Sequence, residues 1–520
     1  MIKTSPTLYY TLIVSLGGFI FGFDASVISG AIGFIGNDFQ LSAWQQGFVV
    51  SSPTLGGIIA TLTAGAICDA YGRRKTLKII AFLYLLSACA SAFATDYWML
   101  VTARFIGGMA FCSLMIAPIY IAEISLPESR GKMVSVNQLN IVLGFSVSYF
   151  SNYYFLQLSQ SDLMWVSEWG IDSNVWRWML GMEMVPALLW FVLLFTIPRS
   201  PRWLLLKGRD DEAKTVLSKL FSEDRVKSEL STLNANVDTH TEPLWTRLRF
   251  LFSKRMRFPI LIGLLVGISQ QVTGINVIFF YAPTIFEQSG VGTNAAFMQA
   301  VWIGIVNVVF TLVAMATIDK FGRKPLLLIG LTGVVISMAI CSWGFKQATY
   351  TLNETSIVSL SETLEQQEVT SLKSIQDQTF SSDVEFKNTL ISLLGEKTFN
   401  AHQGELLKLA TKMNATLILA GIIGFVASFA MSLGPVMWVL FSEIFPNHVR
   451  GIAISLVGVA NSAVSFLVQL VFPWELATLG AAFTFLVYGA MAFLGLILVY
   501  LFLPETKGKS LEALEASLTR

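Results

Sequence analysis

Twelve times along the chain, roughly 20 predominantly apolar residues pass before a polar turn interrupts them. A helix of that length crosses the ~30 Å hydrocarbon core of a bilayer. The runs centre near Phe19, Ile58, Leu85, Phe111, Leu143, Ala187, Ser269, Val306, Val335, Ser428, Val459 and Phe493. They predict an all-α membrane protein with twelve transmembrane helices. Lys3 precedes an apolar run from Tyr9 to Ile32. That run is too long for a secretory signal and lacks a clear cleavage site, so it reads as the first span. Two polar stretches break the series. Residues 200–257 carry helical patterning (DEAKTVLSKLF) and read as a helical linker. Residues 348–412 are rich in Ser, Thr, Glu and Gln but keep spaced leucines, as in TLISLLGEK. Short amphipathic helices are expected there, with a disordered loop as the alternative.

Composition agrees with the pattern. Of 520 residues, 54% are hydrophobic and 13% charged, against about 25% charged in soluble domains. A net charge of +1 offers no field for nucleic acid. Cys68, Cys89, Cys112 and Cys341 lie scattered in apolar runs, which suits packing better than disulfides or a metal site. No cofactor or metal site is expected. Orientation follows from Lys and Arg. The connections after spans two, four, six, eight and ten carry Arg73, Arg74, Lys75, Arg130, Lys132, a basic stretch from Arg199 to Arg257, Lys320, Arg323, Lys324 and Arg450. The short connections on the other side carry Asp38, Asp96, Asp162, Glu168, Asp172, Glu287 and Glu475. Both termini are therefore expected in the cytoplasm, with the protein multi-pass in the plasma membrane.

Two motifs repeat. Asp69-Ala70-Tyr71-Gly72-Arg73-Arg74 after span two returns as Asp319-Lys320-Phe321-Gly322-Arg323-Lys324 after span eight. Glu123-x6-Arg130-Gly131 after span four returns as Glu443-x6-Arg450-Gly451 after span ten. The offset grows from 250 to 320 residues, and the stretch 348–412 fits the difference. The chain thus reads as two parallel six-helix halves, the arrangement of one transporter class with its substrate near the midplane. The predicted divisions are 1–199, a linker at 200–257, and 258–520 with the insertion. Asp69, Arg73, Glu123, Arg130, Asp319, Arg323, Glu443 and Arg450 are expected to latch the halves on the cytoplasmic side when that side is closed. Glu123 with Arg130 and Glu443 with Arg450 are the pairs suggested.

Polar residues deep in the spans are mostly amides: Gln138, Gln270, Gln271, Asn276, Asn307 and Asn461. An amide both donates and accepts, as a sugar hydroxyl does, whereas an anionic substrate would call for a central Arg or Lys. Phe279, Phe280, Tyr281 and Trp438 offer flat faces to a sugar ring. Interhelical glue is the alternative for any one amide. Gly434-Pro435, ahead of Trp438, marks a break in span ten that serves as a hinge or as a fixed kink. Asp24, Arg104 and Glu183 sit six to eight residues from the same end of their spans, roughly 10 Å inside. A carboxylate whose distance to Arg changes with conformation changes its proton affinity. The three therefore form a proton-coupling candidate, against a static ion pair. His240, His402 and His448 all lie outside the spans.

GAICDAYGRRK, RFIGG, PRSPRW, QQVTGIN, DKFGRKP, GPVMWVLFSEIFP and PETKG, in this order, resemble the sugar porter family of the major facilitator superfamily over nearly the whole chain. The resemblance implies alternating access, a monosaccharide substrate (hexose, pentose or a similar polyol) and proton symport. It implies that Gln138, Gln270, Gln271, Asn276, Asn307, Trp438 and Asn461 bind the sugar. At the Asp24 position the family's symporters carry Asp, whereas its facilitative members typically carry Asn. Arg199 stands where the family has Glu, Ala70 where a basic residue is common, and Phe280 where Tyr is frequent. A facilitative uniporter and a sugar sensor on a transporter scaffold are the competing functions. An enzyme is not expected, since no phosphate-binding loop precedes Gly508-Lys509-Ser510. The partners expected are the sugar, the proton and the bilayer, with a monomer as the functional unit.

Overall fold

The structure, a computed structural model, describes residues 6–221, 225–226, 244–446 and 449–507. His240, His448 and the GKS at 508–510 lie outside the described residues, as does the side chain of Asp319.

Among the described residues, twelve helices are long and apolar enough to cross a membrane. They are Pro6–Asp38, Ala43–Tyr71, Arg73–Ala92, Tyr97–Ile124, Glu128–Ser159, Val175–Leu193, Lys254–Phe280, Thr293–Ile318, Arg323–Lys346, Ala415–Ile444, Arg450–Thr478 and Gly480–Phe502. We number them as spans one to twelve. Each expected centre falls inside one of them. Span starts follow local chemistry. The Asp96 carboxylate accepts from the amides of Trp98 and Met99 at the head of span four. Ser42 and Gln45 form a reciprocal cap at the head of span two, so amides that the helix leaves unpaired are bonded.

Several spans are interrupted. Span four passes through a 3-10 turn at Ala110–Cys112, and span six breaks at Met182-Glu183. Span seven breaks at Thr273-Gly274, where Gly274 has φ +85°, and Tyr281 separates its end from the short helix Ala282–Glu287. Span ten breaks at Ser432, two residues before the Gly434-Pro435 pair that marked it in the sequence. Pro435 falls in the first turn of the new helix Leu433–Ile444, where its missing amide has no intrahelical partner to lose.

The insertion is ordered. It contains helices Glu354–Leu360, Gln366–Leu372, Asp383–Leu394 and Glu396–Ala410. Three short strands, β1 (Thr349–Thr351), β2 (Thr379–Phe380) and β3 (Thr411–Lys412), form an antiparallel sheet in the order β2-β1-β3. The spaced leucines close its own core, with Leu360, Leu372, Phe386, Leu390 and Leu406 fully buried. Beyond the expected helices, this small sheet is the addition. The disordered alternative does not hold. The linker shows helices Pro201–Leu206, Asp210–Leu220 and Leu244–Leu251.

Because the number of spans is even, the chain enters and leaves on one face, which also bears the two D-x-x-G-R turns. We call it the basic side and the opposite face the insertion side. The halves meet on the insertion side. There Trp44 stacks on Trp474 with ring centroids 5.8 Å apart, joining spans two and eleven. A Cβ on Gly47 would lie 2.0 Å from the Leu470 carbonyl oxygen, so only glycine permits this approach. Tyr149 donates to the Phe279 carbonyl at 2.5 Å. Gln157 and Gln160 bond to Asn294 at 3.0 and 2.9 Å. Toward the basic side, a Cβ on Gly65, Gly131, Gly451 or Gly458 would touch nothing within 4 Å.

Candidate functional site

The two left-handed glycines, Gly72 (φ +81°) and Gly322 (φ +90°), shape identical turns 250 residues apart. Each turn sends the next arginine back under its own half. Arg73 pairs with Glu123 at 3.0 Å and with Asp69 at 3.2 Å. Arg323 pairs with Glu443 at 2.8 Å. Thr506 donates to the second Glu443 oxygen at 2.6 Å. Arg130 donates to the Ala122 carbonyl and Arg450 to the Phe445 carbonyl, at 3.2 and 3.1 Å. This corrects the expected pairing: Glu123 takes Arg73 rather than Arg130, and Glu443 takes Arg323 together with Thr506. These pairs brace helix ends within each half, because the basic ends of the halves stand apart.

Asp24, Arg104 and Glu183 converge. Arg104 forms an ion pair with the Asp24 carboxylate and donates twice to the Asp24 carbonyl at 3.3 Å. Both side chains are buried to 1–2% exposure. Glu183, at the break in span six, is equally buried and has Asp24 and Arg104 as electrostatic neighbours. Asp24 Oδ2, Arg104 Nε and Glu183 Oε1 make no hydrogen bond among the described residues. All three residues belong to the first six spans.

The amides gather in the other half. Gln271 donates to Gln270 Oε1 at 3.2 Å and to Asn461 Oδ1 at 3.1 Å. Asn461 donates to Gln270 Oε1 at 2.9 Å and to the Gly267 carbonyl at 2.8 Å. The left-handed Gly274 turns span seven so that Asn276 reaches back to Gln271 Oε1 at 2.9 Å. Gln270 also bonds to the Leu433 carbonyl, beside the break in span ten. Gln138 of span five and Asn307 of span eight make no side-chain hydrogen bond among the described residues. Trp438 is half exposed, edge-on to Phe441 at 5.9 Å.

Two aromatic expectations are corrected. Phe279 packs on Phe145 of span five at 4.9 Å, and Tyr281 on Phe472 at 4.9 Å. Both are buried in the closed insertion side, not presented to a cavity. The sequence reading also missed Ser465 and Gln469. They follow Asn461 at i+4 and i+8, so they share its helix face. That spacing was the available signal. Asn276 donates to Ser465 Oγ at 2.6 Å, Gln469 donates to the same oxygen at 2.7 Å, and Thr54 of span two donates to Gln469 Oε1 at 3.2 Å.

A model of the family described as "Sugar (and other) transporter" matches residues 10–362 and 391–518. The chain belongs to the sugar (and other) transporter family. This transporter is 32% identical to the arabinose-proton symporter of Bacillus subtilis, over 99% of this chain and 96% of that protein. It is 32% identical to the D-xylose-proton symporter of Escherichia coli, over 97% and 94%. Its structure resembles that of the E. coli xylose transporter XylE in an inward-open conformation. That likeness has a TM-score of 0.73 at 29% identity and covers 98% of this chain and 99% of the other. The gap in the family match, between residues 362 and 391, falls inside the insertion.

Proposed function

We propose that this transporter is a proton-coupled monosaccharide symporter of the plasma membrane, functional as a monomer, with both termini in the cytoplasm. The observation that carries the reading is the division of labour between halves. A buried carboxylate–arginine cluster occupies one half and a buried amide cluster the other. The relatives named as sugar–proton symporters support it. The basic side faces the cytoplasm by its arginines and lysines, and the conformation described is then inward-facing.

The amides of Gln270, Gln271, Asn276 and Asn461, with Gln138, Asn307 and the Trp438 ring, meet the hydroxyls and C–H face of the sugar. Divisions at 1–199, 200–257 and 258–520 separate the two rocking halves from the linker. Arg104 pairs with the Asp24 carboxylate while they touch. Rocking that separates them leaves an unpaired carboxylate in an apolar setting, which takes a proton. Glu183 is buried beside the pair. A uniporter shares the sugar site without the need for Asp24.

Asp24→Asn tests it. The variant should bind sugar and perform counterflow, which moves no net proton. Uphill accumulation driven by a proton gradient should vanish. Arg104 loses its counter-charge, so a stability loss of about 3–5 kcal/mol is expected. Folding is therefore verified first by monodispersity. Retained proton-driven accumulation in the variant excludes Asp24 as the coupling group. Loss of every transport mode together with stability assigns the pair a purely structural role.

A further inference from the structure

The amide cluster does not end at Asn276. Both protons of the Asn276 amide are engaged, one on Gln271 Oε1 and one on Ser465 Oγ. Ser465 Oγ receives a second donor from Gln469, and Gln469 Oε1 receives the Thr54 hydroxyl. The Gln469 backbone carbonyl takes the Tyr281 hydroxyl at 3.2 Å. Gln469 is fully buried and Ser465 nearly so. An unbroken chain of hydrogen bonds therefore runs from Gln270 through Asn461, Gln271, Asn276, Ser465 and Gln469 to Thr54. Thr54 lies on the opposite half, at the midplane end of the contact that Trp44, Gly47 and Phe48 make with span eleven.

We propose that Ser465 and Gln469 are positioning residues that couple sugar occupancy to closure of the insertion side through Thr54; this rests on the sugar-binding reading above. A sugar hydroxyl that accepts from Asn276 must take a proton now given to Gln271 or to Ser465. If it takes the second, Ser465 Oγ is left with one of its two donors. Ser465 Oγ then draws the one remaining donor, the Gln469 amide, closer, which shifts Gln469 Oε1 relative to Thr54. The bond between halves thereby weakens or re-forms with the state of the site. Such a device needs donors with no spare proton, and Asn276 meets that condition.

The test uses the full-length protein in nanodiscs, with Cys68, Cys89, Cys112 and Cys341 replaced by alanine. Spin labels go on cysteines at Trp169, of the first half, and Val358, of the insertion, both 63% exposed. Pulsed electron resonance reads their separation with and without D-xylose, arabinose and glucose in turn, and calorimetry reads binding. In the reference protein, sugar should shift the distance distribution. Thr54→Val, nearly isosteric, should raise the fraction open on the insertion side roughly 2- to 10-fold without sugar. It should also abolish the sugar-dependent shift while affinity stays within about tenfold. Ser465→Ala should do the same. Thr54→Ser should restore the reference behaviour. A Thr54→Val distribution matching the reference in both conditions overturns the coupling, even if affinity or melting temperature falls. If the reference protein itself binds none of the three sugars, the transport reading fails and the coupling fails with it.

Discussion

Arg199 and Glu505 occupy matching places, in Pro198-Arg199-Ser200 after span six and Pro504-Glu505-Thr506 after span twelve. Their environments differ because their charges do. The Glu505 carboxylate accepts from the backbone amides of Arg323 and Lys324 at 3.2 Å each, at the head of span nine. There the helix leaves amides unpaired and carries partial positive charge. Arg199 cannot serve span three in that way and pairs instead with Glu212 of the linker at 3.7 Å. Arg199→Glu should supply the missing cap and stabilise the first half by about 0.5–1 kcal/mol. Glu212 keeps Arg209 as a partner. Thermal unfolding measures the effect, and a lowered midpoint would count against it. Glu287 gives a second test at this scale. It lies beneath helix Glu396–Ala410: a Cβ on Gly404 would stand 3.7 Å from its Oε1 and 2.6 Å from Thr293 Oγ1. Burial pushes the carboxyl up from 4.5 to about 7, with the Thr293 hydroxyl opposing. Below pH 4.5 the group is protonated folded or unfolded and has no effect. Between pH 4.5 and 7 the unfolded chain releases its proton first, so stability falls, and the loss is complete above pH 7. Glu287→Gln should match the native protein at pH 4 and exceed it by about 1–3 kcal/mol at pH 8. Equal stability of the two at pH 8 would refute this.

Among the elements, the insertion is the most self-contained. Its first and last strands are neighbours in one sheet, with Thr349 opposite Lys412. A short linker can therefore replace everything between them. It is fastened to the second half through Asp383, which accepts from the Ala481 amide at 3.1 Å and pairs with Lys387 at 3.2 Å. Replacing residues 350–410 with a short Gly/Ser linker should give a monodisperse protein that retains at least some transport. It should also flatten the pH dependence of stability, because Glu287 becomes solvated. A stable deletion protein that binds no sugar would make the insertion part of the site. The broken spans work differently. The breaks in spans six and seven lie beside Glu183 and Asn276, and the break in span ten lies beside Leu433, whose carbonyl takes Gln270. Irregular backbone at membrane depth is tolerated where protein or a polar cavity surrounds it, and it aims side chains that a straight helix would direct elsewhere.

At the scale of the molecule, the conformation is set by which ends of the halves touch. On the insertion side, spans two and eleven meet backbone to backbone at Gly47, and spans five and eight at Gly304, where a Cβ would come 2.7 Å from the Ser146 Cα. Gly47→Leu should prevent closure there, since the Leu470 backbone cannot yield as a flexible side chain would. The variant should fold, bind sugar from the insertion side and lose net transport by at least tenfold. Flux in proteoliposomes against binding in detergent separates these effects, and undiminished flux would show that spans two and eleven need not approach. The arginine clusters on the other side act within each half here, so any fastening between halves belongs to the opposite conformation.

The sequence by itself determined the number of spans, their order and the repeat. Each rests on local facts: 20 apolar residues fit one bilayer crossing, and a D-x-x-G-R turn recurs with its glycine left-handed both times. It placed Asp24, Arg104 and Glu183 at one depth, because a helix converts residue count into height. It singled out Gln270, Gln271, Asn276 and Asn461, because an amide deep in an apolar run needs a partner or a ligand. It did not determine who pairs with whom. Glu123 chooses Arg73 over Arg130 through the fold of a turn, and Phe279 and Tyr281 are buried because the halves close over them. Nor did the sequence settle that residues 348–412 form a packed unit, since spaced leucines need a partner face before they order. Ser465 and Gln469 take their place between the amide cluster and Thr54 only once spans two, seven and eleven stand side by side. The tertiary structure decided these matters, because hydrogen bonds and ion pairs act over about 3 Å, between residues as much as 415 positions apart in the chain.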